Sequence, residues 1–433
     1  MPDNNKPNRD NKKSKNNLTR REFLGYSSAA IMGAALAKPG FAKNDPHIKP
    51  ETGMKYRRLG RTNVMISEVG VGCASGSLSR QLGPFLFEKW RTERGDVLNK
   101  LLDLGGNFVT TCTSYHDTVA LAGKATKHRR DEIYYIIGFY PGSEKKMRKS
   151  IEEVLRNLQT DYVDMLYSYG SGTDEGFENL RKFRDEGKLR FIGMSQHDPR
   201  HHEWAIRKGY LDFLQVPYNR LSLIKQGSDD LPRTDRLLKL AKERDVGVIV
   251  IKPLTGNFIP YWANQTHDPE IQEIMRKLKD YGPKNLYQAM LRWNLGNPNI
   301  TACAVGMDTV QQVIEDCEAV STRDQYASET KNELLEEYAR LADKDYCRLC
   351  ETCVPHCPNG VRIPDILRFR MYYNNYKWEE YAKAQYNNLY DYEKATNCND
   401  CGICESHCPY QLSIREKIRE AHSILAENKT LIS

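Results

Sequence analysis

Between residues 54 and 325, short runs of β-branched and apolar residues alternate with longer stretches whose apolar positions recur at three- and four-residue steps. The short runs are too brief for helices and the longer ones carry the helical period. The pattern therefore predicts strands over 68–72, 107–111, 133–137, 163–168, 190–195, 213–216, 247–251 and 300–305, alternating with amphipathic helices. Such alternation builds a parallel sheet, and eight units close it into an α/β fold of the (β/α)8 TIM barrel type, with its chemistry at the C-terminal strand ends. Ahead of the first strand, Lys55-Tyr56-Arg57-Arg58-Leu59-Gly60 and Val64-Met65-Ile66-Ser67 read as a hairpin, expected to plug the barrel bottom.

Cysteine organises the region after residue 340. Of twelve cysteines, eight fall in the last ninety residues. Cys347, Cys350, Cys353 and Cys357-Pro358 follow C-x2-C-x2-C-x3-C-P, and Cys398, Cys401, Cys404 and Cys408-Pro409 repeat it. Two-residue gaps let three thiolates surround one face of an iron–sulfur cube, and the Pro turns the chain away after the fourth. Structural zinc is the competing reading, but zinc sites pair two C-x2-C knuckles and need no third regular Cys. The spacing resembles that of two-cluster ferredoxins, whose fourth Cys ligates the other cluster. That resemblance implies two [4Fe-4S] clusters, one on Cys347, Cys350, Cys353 and Cys408, the other on Cys398, Cys401, Cys404 and Cys357. The 40 residues between the quartets carry Ile366, Phe369, Tyr373 and Tyr376 at helical steps after Pro364, so this domain is expected to be mostly helical, with the stripe as packing.

At the other end, Thr19-Arg20-Arg21-Glu22-Phe23-Leu24 precedes an apolar stretch over 25–37. This resembles a twin-arginine export signal, with cleavage expected near residue 42 and the periplasm as destination. The stretch is shorter than the roughly 20 residues that span a bilayer, so no stable transmembrane anchor is expected. Overall the chain is 39% apolar and 28% charged with 10% aromatics, a soluble globular composition. Residues 1–42 hold eight Lys/Arg against three Asp/Glu, a surplus of five in the formal +7, so the remainder carries no nucleic-acid signal.

The barrel region resembles the aldo/keto reductase superfamily through its hairpin, Gly105-Gly106-Asn107-Phe108, Asp161-Tyr162-Val163-Asp164, Gly187-Lys188-Leu189-Arg190-Phe191-Ile192-Gly193-Met194-Ser195, Gln215 with Tyr218-Asn219, and Lys252-Pro253-Leu254. The resemblance implies carbonyl reduction with NADPH by an Asp, Tyr, Lys and His meeting above the sheet. Three of these positions depart: Thr110 stands for the Asp, Gly138 for the Lys and Tyr169 for the His, which leaves Tyr115 as the candidate catalytic proton donor. Ser195, Gln196 and Gln215 occupy the positions that hold the nicotinamide in relatives, or simply satisfy local backbone groups. The segment Gly306 to Asp316, which holds the adenosine phosphate in relatives, lacks a well-placed Arg or Lys and has no cation over 307–312, so NAD(P)H is a doubtful cofactor. His116, Lys252 and His197 near the expected mouth read as surface or satisfied groups, and Cys73, Cys112, Cys303 and Cys317 as core.

Three segments are thus expected: an export signal over 1–42, a barrel over 54–325 and a ferredoxin-type domain over 340–433. The function expected is an exported iron–sulfur oxidoreductase, its two clusters relaying electrons to or from a small-molecule substrate or redox partner protein at the barrel. An NAD(P)H-dependent carbonyl reductase with a rebuilt site and a non-catalytic electron-transfer protein are the alternatives.

Overall fold

The computed structural model describes residues 47–73, 84–113, 117–169, 172–196, 199–220, 234–254, 286–326, 351–374 and 379–426, with a few isolated positions such as Cys347. The leader lies outside the described residues, and Pro46–Ser433 makes one compact unit. A hairpin of β1 (Tyr56–Arg58) and β2 (Met65–Ser67) comes first. The barrel strands follow: β3 (Val69–Gly72), β4 (Phe108–Cys112), β5 (Tyr134–Phe139), β6 (Val163–Tyr169), β7 (Leu189–Ser195), β8 (Phe213–Pro217), β9 (Gly247–Ile251) and β10 (Ala302–Val305). All pair in parallel, and β10 closes the ring on β3. All eight predicted strands are present, with ends displaced by at most two residues. The largest consequence is that β5 and β6 run on through Gly138 and Tyr169, so both belong to the ladder.

Alternation divides each strand between two cores. Phe108, Ile136, Met165, Tyr167, Phe213 and Ile249 fill the barrel interior, and Leu59, Val64 and Ile66 from the hairpin region join the same cluster from below. Leu59 packs so closely on Gly247 that a Cβ there would lie 2.4 Å from one of its methyl groups. The outward residues meet the helices. In Glu144–Leu158 the buried positions are Met147, Ile151, Val154 and Leu158, a stripe of helical period, and Gln159 ends the helix in the left-handed region at φ 55°.

Buried charges are paired where they tie elements together. Asp164 of β6 accepts from Arg130 at 2.8 Å, Arg190 at 3.2 Å and the Tyr135 amide at 3.0 Å. Glu68 accepts from Arg57 and Arg323, each at 2.6 Å, and so fastens the hairpin to the chain after the last barrel helix. Cys73, Cys112, Cys303 and Cys317 are buried thiols, as expected.

Beyond the barrel, helices Ile363–Asn374, Glu379–Asn387 and Ile414–Leu425 enclose a second core that includes Ile366, Phe369, Tyr386 and Ile418. Ile366 and Phe369 bear out the predicted packing stripe, with Tyr373 partly buried beside them; Tyr376 lies outside the described residues.

One buried carboxyl is badly placed for solvation. Asp316 sits on the apolar stripe of helix Val310–Ser321 with Val313, Cys317 and Val320. Burial first, and Glu315 second, push its pKa up to about 7. Because the folded-state pKa lies above the unfolded value of about 4, the group favours folding only while protonated, and stability falls as pH rises from about 4 through about 7. Asp316→Asn should therefore stabilise the fold by about 1–2 kcal/mol at pH 8 and leave it nearly unchanged at pH 4, as read from denaturant midpoints at the two pH values. Equal effects at both would contradict a buried, reluctantly ionised carboxyl.

Candidate functional site at the barrel mouth

Six adjacent strands, β4 to β9, place side chains or a strand-end residue at the C-terminal rim. Ladder register sets Cys112 beside Gly138, Gly138 beside Tyr167, Tyr169 beside Ser195, and Ser195 beside Gln215. Thr110, in the position of the expected Asp, is buried, and its hydroxyl accepts from Gln215 Nε2 at 2.8 Å. The Gln215 backbone carbonyl accepts from the Gln196 amide at 3.4 Å and lies 3.1 Å from His202 Nε2. A carbonyl oxygen only accepts, so this contact assigns the His202 proton to Nε2. The three nicotinamide candidates, Ser195, Gln196 and Gln215, are thus brought together just under the rim.

Gly138 has a neighbour that sequence reasoning missed. The Tyr167 ring lies across it, so that a Cβ on Gly138 would come within 2.3 Å of the ring carbon bearing the hydroxyl. Tyr167 donates to the Thr111 carbonyl at 3.0 Å, which satisfies the buried phenol. Burial raises the Tyr167 pKa well above the usual phenol value. Tyr169 is raised too, by burial and then by Tyr372 and Tyr140, and its ring meets Tyr140 edge-on at 5.3 Å. Both phenols therefore remain protonated near neutral pH and serve as hydrogen-bond donors rather than bases.

Lys252 follows β9 in the left-handed region at φ 54°, an unusual conformation for a side chain of this size. The buried Asn219 fixes it by donating to its carbonyl at 2.9 Å. Burial, assisted by the charge of Arg368, lowers the Lys252 pKa to about 8. Its strand-end position was the only sequence signal.

Arg368 belongs to the helix Ile363–Asn374, in the region between the cysteine quartets, and Tyr372 lies one turn further along it. Arg368 acts electrostatically on both Tyr169 and Lys252, and Tyr372 acts on Tyr169. Tyr372 also packs against Tyr381 at 5.8 Å. The dicluster segment therefore reaches the barrel rim. Helical periodicity groups residues 368 and 372 on one face, but nothing local says what that face meets.

The segment 306–312 is not without a cation. Arg94, buried on helix Pro84–Asp103, donates to the Met307 carbonyl at 2.5 Å and to Asp308 at 2.9 Å. Thr309 and Gln312 form a capping box at the start of the following helix.

In the second core, Cys347, Cys353 and Cys408 line one small cavity walled by Ile363, Leu367 and Leu412. Cys404 lies within electrostatic reach of Cys398 and Cys357. Among the described residues no three metal-ligating side chains converge on a single-ion site. Thiols arranged around an apolar cavity suit a cube with iron at its corners. Cys401 is exposed. Cys350, Tyr115, His116 and His197 lie outside the described residues.

Residues 88–333 match the Aldo/keto reductase family and residues 346–412 match the 4Fe-4S dicluster domain. L-galactose dehydrogenase of Arabidopsis thaliana is 30% identical over 301 residues, covering 62% of this chain and 89% of that one. The holo form of aldo-keto reductase AKR11C1 from Bacillus halodurans has a TM-score of 0.53 at 22% identity, over 66% of this chain and 96% of that one. An aldo/keto reductase from Klebsiella pneumoniae in complex with NADP and acetate gives 0.52 at 22%, over 65% and 94%. The doubt over NAD(P)H rested on the missing cation; Arg94 from a distant helix lies against 306–312, bound to the Met307 carbonyl and Asp308, and the Klebsiella pneumoniae protein of the same fold holds NADP. With a family match over more than half its length, the chain belongs to the aldo/keto reductase family, as an oxidoreductase of that type whose barrel is followed by a 4Fe-4S dicluster domain.

Proposed function

We propose that the protein is an exported iron–sulfur oxidoreductase in which electrons pass between two [4Fe-4S] clusters and a substrate or redox partner protein at the barrel mouth. Arg368 within electrostatic reach of Tyr169 and Lys252 is the observation that supports this most, because it brings the dicluster segment near the barrel's reactive end. A module joined only by a passive linker would have no cause to lie within electrostatic reach of that rim.

Cys347, Cys350, Cys353 and Cys408 would hold one cluster, and Cys398, Cys401, Cys404 and Cys357 the other. The cavity shared by Cys347, Cys353 and Cys408 and the approach of Cys357 to Cys404 support this crossed arrangement. Each cluster, when bound, stores one electron, so the pair matches the two electrons of an alcohol–carbonyl interconversion. Ser195, Gln196 and Gln215 would hold a nicotinamide, and the NADP of the Klebsiella pneumoniae protein supports NAD(P)H as the hydride carrier. Gln215 commits its amide nitrogen to Thr110, while its side-chain oxygen has no partner among the described residues and suits a carboxamide donor. With Thr110, Gly138 and Tyr169 at three tetrad positions, Tyr115 is the proton donor the sequence offers, and the protonated Tyr169 adds a second phenol.

The motif around Arg20 and Arg21 supports passage through the twin-arginine translocation machinery to the periplasm, a route suited to cargo already folded around its cofactors. No helix among the described residues is long and apolar enough to cross a membrane.

Protein purified without oxygen should contain about eight iron and about eight sulfide per chain, two cubes' worth. A preparation holding zinc alone would defeat the proposal. Cys357→Ser should perturb the electron paramagnetic resonance signal of the cluster held mainly by the second quartet; a change confined to the other cluster would refute crossed ligation. Replacing Arg20 and Arg21 together by Lys should leave the protein in the cytoplasm with its iron intact, and undiminished export of that variant would show that the leader does not act as a twin-arginine signal.

A further inference from the structure

We infer that Thr110, standing where relatives carry the tetrad Asp, is a positioning residue for the cofactor: its hydroxyl holds the Gln215 side chain from across the barrel, so that the amide oxygen alone meets the nicotinamide carboxamide. This deepens the proposed function and rests on its assignment of Ser195, Gln196 and Gln215 to the nicotinamide.

The contact does not follow from strand pairing. In the closed ring β4 and β8 lie four places apart, directly opposite each other, so no ladder bond relates Thr110 to Gln215. Each shares the inward parity of a core phenylalanine on its own strand, Phe108 and Phe213, and each is buried. Gln215 Nε2 donates to the Thr110 hydroxyl at 2.8 Å, a neutral strut across the top of the packed interior. A carboxylate at position 110 would call for a cation nearby, and Gly138, covered by the Tyr167 ring, has no room to supply one.

Gln215 is fixed at both ends. Its backbone carbonyl accepts from His202 Nε2 at 3.1 Å and from the Gln196 amide at 3.4 Å, while Thr110 takes the side-chain nitrogen. Tyr167, donating to the Thr111 carbonyl at 3.0 Å, secures the end of β4 beside Thr110. The side-chain oxygen of Gln215 is left without a partner among the described residues, and so is the hydroxyl of Ser195, its ladder neighbour. A primary carboxamide carries one NH2 donor group and one carbonyl acceptor. The Gln215 oxygen takes the first and the Ser195 hydroxyl donates to the second, which leaves one orientation of the amide. If Gln215 were free to turn over, its NH2 would face the carboxamide NH2, donor against donor.

Calorimetric titration of the anaerobically purified, cluster-loaded full chain tests this. The probes are NADPH, its reduced 3-acetylpyridine analogue, in which a methyl group replaces the carboxamide NH2, and 2′-phospho-ADP-ribose, which lacks the nicotinamide. The unaltered protein should bind NADPH at least about fivefold more tightly than the analogue, because the analogue leaves the Gln215 oxygen unpaired. Thr110→Val keeps the shape and removes the hydroxyl, so the freed amide can turn over and donate to the acetyl carbonyl; the preference should fall below about twofold. Thr110→Ser should retain the preference, and binding of 2′-phospho-ADP-ribose should change less than about twofold in every variant. Thr110→Ala removes the same hydroxyl without adding a methyl group, should lose the preference equally, and keeps the test decisive if Thr110→Val fails to fold.

An unaltered protein without the preference, or Val and Ala variants that keep it, would overturn the inference while leaving the nicotinamide assignment standing. Loss of affinity for all the probes alike in those variants would reduce Thr110 to a packing role and overturn the inference as well. If the unaltered protein binds NADPH no more tightly than 2′-phospho-ADP-ribose, the nicotinamide assignment itself falls, and the inference with it.

Discussion

Closure of the parallel ladder is the constraint on which the rim depends. Each barrel strand is hydrogen-bonded on both sides, so none can slide without breaking two sets of bonds. A one-residue slip of β6 would turn Tyr167 and Tyr169 outward and drive Asp164, with its two arginines, into the apolar interior. The hairpin below and the Glu68 ion pairs beside it hold the bottom of the same ring. The mouth is therefore built of side chains whose positions are set by register rather than by loop conformation.

Burial at that mouth has one electrostatic effect with two outward signs. It disfavours the charged form of every group, so it raises Tyr167 and Tyr169 and lowers Lys252. The phenols become permanent donors, and the lysine is brought to the edge of its charged range. Arg368 favours ionised phenol and neutral lysine alike, opposing burial at Tyr169 and reinforcing it at Lys252. A helix from the appended domain thus tunes groups on the barrel.

The strands, the hairpin and the paired cysteine quartets were legible because their signals are local: alternation of period two, a turn between apolar runs, ligands two and three residues apart. Gly138 and Tyr169 could be singled out, since the ordered motifs say where the family's Lys and His are expected. What replaces them could not be read. Tyr167 comes from the neighbouring strand, Arg94 serves a segment more than two hundred positions later in the chain, and the partners of Lys252 and Tyr169 arrive with Arg368 and Tyr372 from another domain. A composition argument confined to 306–312 cannot see Arg94 for that reason.

The ring of Tyr167 lying over Gly138 also constrains how this barrel can change. A Gly138→Lys step meets a phenol at 2.3 Å and overpacks a closed interior, while trimming Tyr167 first opens a void beside a glycine and strips the Thr111 carbonyl of its donor. Neither order of the two steps runs downhill, although the pair together could be accommodated; the two positions are coupled in the way of contacting residues, not additive. Packing alone thus holds the glycine and the phenol to one another, whatever chemistry the rim supports.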